Sequence, residues 1–447
     1  MRSLVLLSIV SSLLLGCSEE RRPNILLISL DTLRADRLGT YGYDRDTSPQ
    51  LDRFAAAGVV FEDVTSVSPW TLPSHASLLT SLYPSRHGVV SDAHKLPDAR
   101  QTLTEVLGSA GYATHAIVNA HYLSERYGLL QGFEGSQVVS EWDDPKSKKP
   151  KLAKKATQIT SDALDWLERR DAERPFFLFL HYYDAHSDYD PSEPYRTQFV
   201  RPYAGPADGT TGQLLAYRKA GMVLGEGDIR HLGDLYDAQV RQLDDQIGRL
   251  LRGLDSMDLA SDTIVAITSD HGEELFEHGS LLHGQTYFQE VIRIPWLMRG
   301  PGVPSGTRAR EPVSLIDVPV TLLDLVGLDP PKKWQGRSGV SIWRGQEPEP
   351  RFLFAEADHG DTIENRRRLV RHGPYKLIHD RETSSDAIFD LRTDPGEERD
   401  LSPTPPEITA ALRTELERLL RQASEGESIG APSEATQRLL DQLGYTK

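Results

Sequence analysis

Three apolar runs, each the length of one strand and each closing on side chains able to ligate a metal, restrict this chain more than any other feature. Residues 24–30 (NILLISL) end at Asp31, residues 176–181 lead into Tyr183-Asp184-Ala185-His186, and residues 263–269 end at Asp270-His271-Gly272. The runs do not alternate with polar residues, as expected of strands covered on both faces of a parallel sheet. Helical patterns lie between them. Residues 102–110 read as a helix stopped by Gly111, with residues 114–119 as the next strand, and residues from about 154 to 169 place Ile159, Ala163 and Trp166 on one face. Ile229, Leu232, Tyr236, Val240, Leu243, Ile247, Leu250 and Leu254 recur at steps of three and four, the stripe of a long core-facing helix. Strands alternating with helices argue for an α/β chain with a mostly parallel central sheet flanked by helices. In such sheets ligands bind outside the carboxyl ends of the strands, so the three endings are expected to build one site.

The character changes after about Arg310. Short patterned strands at 367–371, 375–379 and 387–391, separated by charged turns, predict a smaller C-terminal α+β subdomain. The expected division is residues 1–17 as a signal, 18–310 as a catalytic domain, and 311–447 as the subdomain and a helical tail. Residues 191–227, rich in Gly, Pro and Tyr without a clear period, predict a long irregular loop that covers a site or is disordered.

The apolar run from Leu4 to Leu15 is too short to span a bilayer and fits a secretory signal. Leu14-Leu15-Gly16-Cys17 resembles a bacterial lipobox, which would make Cys17 the lipidated N-terminus; Ser18 after it resembles lipoproteins sorted to an outer membrane. The expected location is therefore the cell envelope, lipid-anchored on the periplasmic face of the outer membrane, with contact to the membrane through that lipid alone. Cys17 is the one cysteine in the chain, so no disulfide is expected. A net charge of −16 argues against nucleic acid as a partner. The lysine cluster Lys146, Lys148, Lys149, Lys151, Lys154 and Lys155 reads as a solvated loop, with contact to an anionic envelope surface as the alternative.

A fourth element joins the strand endings. In Trp70-Thr71-Leu72-Pro73-Ser74-His75 the proline suits an early helical position, so Thr71 is expected just before a helix N-terminus. A helix end favours an adjacent anion by only about 0.3–1 kcal/mol. A divalent cation on the oxygen is the larger influence, since it can bring the pKa of bound water from 15.7 to about 7. Without a cation, Thr71 would be a helix cap and nothing more.

Asp31, the segment from Thr71 to His75, Thr268-Ser269-Asp270-His271-Gly272-Glu273 and Arg293-Ile294-Pro295 together resemble, in order and context, the sulfatase family of the alkaline-phosphatase superfamily. Tyr375-Lys376-Leu377-Ile378, Phe389-Asp390-Leu391 and Asp394-Pro395-Gly396-Glu397-Glu398 resemble that family's C-terminal subdomain. The resemblance implies an alkaline-phosphatase-like fold and a metal-bound nucleophile attacking sulfur or phosphorus in line. The departures matter as much. The family's nucleophile is a cysteine or serine oxidised to formylglycine; threonine cannot give that aldehyde. Thr32 follows Asp31 where a second aspartate is usual, His271 replaces an asparagine, and His75 replaces the arginine of the signature. The lysines that contact sulfate are missing near Asn119-Ala120-His121-Tyr122 and at His283. Imidazoles in place of oxygen donors shift preference from Ca²⁺ toward Zn²⁺ or Mn²⁺.

By resemblance to threonine-dependent members of the superfamily, Asp31, Thr71, Asp270 and His271 would bind one ion. His186 and His283, with or without Asp184, would hold a second ion or the anionic oxygens of a substrate. His75, His87 and His278 read as structural. Arg34 reads either as facing the anion or as a surface partner of Asp36. The expected chemistry is hydrolysis or transfer of a small-molecule or envelope phosphate or sulfate ester through metal-bound Thr71, phosphate favoured, with His186 and His283 steadying the charge that develops. A sulfate-ester hydrolase working without formylglycine and a non-catalytic envelope binding protein are the alternatives.

Overall fold

A computed structural model describes residues 21–139, 156–346, 349–358, 367–402, 406–421 and 427–428. Cys17 and the lysine cluster lie outside the described residues, apart from any structural account.

The strands of the large sheet are β1 (Asn24–Leu30), β2 (Val59–Thr65), β3 (Ala113–Val118), β4 (Gly135–Val138), β5 (Phe176–Tyr182), β6 (Thr263–Thr268), β7 (Arg293–Arg299), β8 (Thr307–Ala309) and β9 (Val313–Ser314). Their order is β8-β2-β7-β6-β1-β5-β3-β4, with β9 also on β2. Strands β6, β1, β5, β3 and β4 run parallel; β7 is antiparallel to both its neighbours, β6 and β2. The three strands singled out in the sequence are thus immediate neighbours, with β1 between β6 and β5. Ser29 pairs in register with His181 on one side and with Thr268 on the other, which aligns their carboxyl ends at one edge.

Both faces of these strands are covered, which is why their sequences do not alternate. Ile25, Leu27, Phe177, Phe179, Ile264 and Ala266 pack with Leu72, Ala76 and Leu79 of the helix Thr71–Thr80. Leu26, Ile28, Leu178, Leu180, Val265 and Ile267 face the opposite side, against Ile159 and Ala163 of the helix Ala156–Arg169 and Leu232, Val240, Leu243 and Ile247 of Glu226–Ser256. Trp166, expected on the buried stripe, is only half-buried and stacks on His115.

Two expectations need correction. The large sheet continues past residue 310, because β9 pairs with β2 and the helix Asp317–Leu325 packs into the same core. The smaller sheet starts at β10 (Phe352–Glu356) and continues as β11 (Arg367–His372), β12 (Tyr375–Asp380) and β13 (Ser385–Asp390), all antiparallel. The helix Pro406–Arg421 packs on it through Leu412, Leu416 and Leu419. Residues 191–227 are not an irregular loop throughout. They hold the helices Tyr195–Phe199 and Thr211–Ala220, the second capped by the Thr210 hydroxyl and closed by left-handed Gly221. Among the described residues no helix is long and apolar enough to cross a membrane.

Candidate active site

The turn after β1 sets the position of Asp31. Thr32 adopts a left-handed φ of 56°, a costly conformation for a β-branched residue. Hydrogen bonds hold it there: the Thr32 N–H donates to Asp270 Oδ1 (3.2 Å) and the Tyr236 hydroxyl donates to the Thr32 carbonyl (2.8 Å). After β6, Asp270 Oδ1 also accepts from the His271 N–H (2.9 Å), and Gly272 and Glu273 donate to the carbonyls of Val291 (2.7 Å) and Glu290 (3.0 Å). The aspartates at the ends of β1 and β6 are therefore fixed by backbone.

Thr71 is itself the first helical residue, one position further in than expected, after extended Trp70. Its hydroxyl points toward the strand ends and lies 3.5 Å from Nε2 of His271. That Nε2 is 3.3 Å from Asp270 Oδ2 and 4.0 Å from Asp31 Oδ1. His271 Nδ1 lies 2.9 Å from the Gly272 carbonyl, an acceptor only, so Nδ1 carries the proton and Nε2 turns its lone pair to the cluster. The structure thus brings together Asp31, Thr71, Asp270 and His271, all buried.

Among the described residues two groups place donor atoms within 4.8 Å of one another: Asp31, Asp270 and His271, and His75, His181 and Asp270. Both oxygens of Asp31, Oδ2 of Asp270 and both ring nitrogens of His181 are buried without a hydrogen-bond partner. Orphaned atoms of that kind are costly unless something else satisfies them. Burial and the charge of Asp270 push Asp31 well above the usual carboxylate range. Burial acts on Asp270 in the same sense, but His271, His75 and His181 outweigh it and hold that carboxyl low. Two carboxylates this close, with imidazoles beside them, fit a divalent cation between them. Burial lowers His75 and His181 to about 4, so both rings are neutral at pH 7 and can ligate.

Asp184, His186 and His283 belong to neither group. Asp184 Oδ1 accepts the Ala156 N–H (3.1 Å) at the start of a helix. His283 lies beside the first group instead, its ring centroid 4.5 Å from that of His271 and 4.8 Å from that of His186, with Nδ1 2.7 Å from Glu273 Oε1. Burial raises Glu273 to about 8. His186 turns Nδ1 to the Ser187 carbonyl (2.6 Å) and Nε2 to the Tyr183 hydroxyl (3.1 Å). Both ring nitrogens of His186 are thus taken within the protein, and its ring packs edge-on against His283.

His75, read from the sequence as structural, contacts Ser29 Oγ and the Thr71 carbonyl and also lies in the second group. His87 and His278 are structural: His87 contacts Ser77 Oγ (3.0 Å) and accepts the Val89 N–H, and His278 meets Glu290 (2.6 Å). Arg34 does pair with Asp36, as one reading expected, but not at the surface. It is buried, pairing with Asp36 and Glu277 and donating to the Glu273 carbonyl (3.0 Å), and so braces the turn that carries His271. His181 escaped the sequence reading because it closed an apolar run; its one signal was an imidazole in a strand beside Asp31.

A family model described as Sulfatase matches residues 23–328, and one described as N-sulphoglucosamine sulphohydrolase, C-terminal, matches residues 277–423. The chain is 24% identical over 420 residues to the Delta 4,5-hexuronate-2-O-sulfatase of Bacteroides thetaiotaomicron, covering 86% of each protein. Among solved structures, one in complex with D-glucosamine-2-N,6-O-disulfate superposes with a TM-score of 0.75 at 22% identity, over 90% of this chain and 98% of that one. The phosphonate monoester hydrolase of Agrobacterium radiobacter does so with a TM-score of 0.70 at 22% identity, over 90% and 95%. At such identities the superpositions speak for the fold alone.

Proposed function

The chain belongs to the sulfatase family and is an ester hydrolase by that membership, and on this footing we propose that it cleaves phosphate esters with the Thr71 hydroxyl as nucleophile. The observation that carries the reading is that hydroxyl at the opening of a buried helix, turned toward Asp31, Asp270 and His271. Asp31, Thr71, Asp270 and His271 would hold a divalent ion, Zn²⁺ or Mn²⁺ before Ca²⁺. When bound, it supplies Lewis-acid polarisation of the ester and makes a neighbouring hydroxyl a stronger acid.

The side chains account for the remaining steps. The Thr71 oxygen forms a bond to phosphorus in line with the leaving alcohol as that alcohol's bond to phosphorus breaks, and the proton given up by the Thr71 hydroxyl is the one the alcohol oxygen takes up. His283, beside His271, donates a hydrogen bond to an equatorial oxygen, His186 holds the His283 ring by packing against it, and the helix N-terminus at Thr71 adds about 0.3–1 kcal/mol for the negative charge. Water, or an acceptor alcohol in a transfer reaction, then attacks the phosphothreonine and returns the hydroxyl. A sulfated threonine lacks the elimination route open to a sulfated aldehyde hydrate, which is the reason for preferring phosphorus. The names of the relatives favour a second reading, a sulfate-ester hydrolase that activates water directly. Lipid attachment at Cys17 in a cell envelope is proposed on the Leu14-Leu15-Gly16-Cys17 motif.

The test compares aryl sulfate, phosphate monoester and phosphate diester turnover with Zn²⁺, Mn²⁺ and Ca²⁺, before and after Thr71→Ala. Phosphoester turnover that disappears while bound metal is retained supports the proposal. Sulfatase turnover that survives Thr71→Ala supports the second reading and removes the first.

A further inference from the structure

We propose that the chain binds a second divalent cation, of the Zn²⁺ or Mn²⁺ class, on the inner side of Asp31 and Asp270, held by His181 and His75 and sharing both carboxylates with the ion at Thr71. This is a different place from Asp184, His186 and His283, and it goes beyond the reading of Thr71 as nucleophile.

Asp31 stands between two imidazoles and offers one oxygen to each: Oδ1 is 4.0 Å from His271 Nε2, and Oδ2 is 3.3 Å from His181 Nε2. Asp270 does the same with one atom, since Oδ2 is 3.3 Å from His271 Nε2 and 3.7 Å from His75 Nδ1. Its Oδ1 is already taken by the N–H groups of Thr32 and His271. Donors about 2.0–2.1 Å from one ion stand roughly 3–4 Å apart, so these separations are edges of coordination shells.

An ion at Thr71 alone leaves atoms unexplained. It would satisfy Oδ1 of Asp31 and Oδ2 of Asp270 but not Oδ2 of Asp31 or His181, whose nitrogens are fully buried and make no hydrogen bond. Had His181 served only to orient Asp31, an N–H should donate to it. His75 is held as an outer partner would hold a ligand, with Nε2 2.9 Å from Ser29 Oγ. Its Nδ1 now lies 2.9 Å from the Thr71 carbonyl, so ligation moves the ring proton to Nε2, which then donates to Ser29. The rings of His75 and His181 sit 5.0 Å apart at 74°, enclosing the position from two sides.

Metal content of the full chain, loaded with Zn²⁺ and dialysed, decides the matter without a substrate. Elemental mass spectrometry is expected to give two ions per chain, falling to one in His181→Gln, and anomalous diffraction from the unmodified protein two peaks about 3.5–4 Å apart. One ion per chain and one anomalous peak in the unmodified protein overturn the proposal, and so does a His181→Gln variant that keeps two. The diffraction peaks decide it if that variant fails to fold. Failure of Thr71→Ala to abolish turnover would leave the ion count untouched, so the two readings fail separately.

Discussion

Replacing Lys376 by Met should destabilise the protein by about 3–5 kcal/mol, the cost of leaving one member of a buried ion pair alone. Nζ of Lys376 on β12 lies 2.6 Å from Glu397 Oε1, and both side chains are fully buried. At an effective dielectric of about 20 the attraction at this distance is roughly 6 kcal/mol, set against several kcal/mol of desolvation for each ion, so the intact pair gains little. Removing the lysine strips away the attraction and leaves the desolvated carboxylate. Glu397 cannot turn to water, because its Oε2 accepts the Gln289 N–H (2.7 Å) at the start of the turn whose carbonyls receive Gly272 and Glu273. Lys376→Met with Glu397→Gln keeps that acceptor and removes both charges, so it should recover about 2 kcal/mol or more of the single variant's loss. Urea unfolding followed by tryptophan fluorescence and by circular dichroism measures this, provided the two transitions coincide. A single variant within about 1 kcal/mol of the parent, or a double variant no better than the single, would refute the argument.

Thr71→Ser should retain phosphoester turnover within about tenfold, since it keeps the hydroxyl and loses mainly the methyl that restricts χ1, whereas Thr71→Ala should fall by on the order of 10³ or more. Equal losses in the two variants would remove the hydroxyl from the chemistry. Gly272→Ala should abolish turnover and cost about 1–3 kcal/mol or more, because its Cβ would stand 2.0 Å from the Glu290 carbonyl oxygen; an unchanged melting temperature would contradict this. Burial raises Asp244 from 3.8 to about 7, against the pull of the Leu51 and Gln50 N–H groups. A raised folded-state pKa gives stability that is complete below about pH 4 and lost as pH rises to about 7. Relative to Asp244→Asn, the parent should therefore weaken across that window and level off above it, and a flat difference from pH 4 to 8 would count against the assignment.

The sequence alone determined whatever depends on short-range patterning. Both-face burial wrote β1, β5 and β6 as uninterrupted apolar runs, three-and-four spacing wrote Glu226–Ser256, and Pro73 announced the helix that opens at Thr71. Asp31, Asp270 and His271 were legible because a ligand side chain at the end of a buried strand has nowhere else to be. Thr210 and Gly221 were equally good signals for the helix Thr211–Ala220, masked by the prolines and glycines around them. Only the tertiary structure decided which residues meet. Strand order put β1 between β6 and β5, and the register of Ser29 with His181 turned an imidazole inward beside Asp31. It also carried His75 from a helix onto Ser29 and buried Arg34 under Glu277. Contacts across 46 to 243 positions of chain leave no local trace, because a histidine in a strand or on a helix reads alike whatever the facing element brings to it.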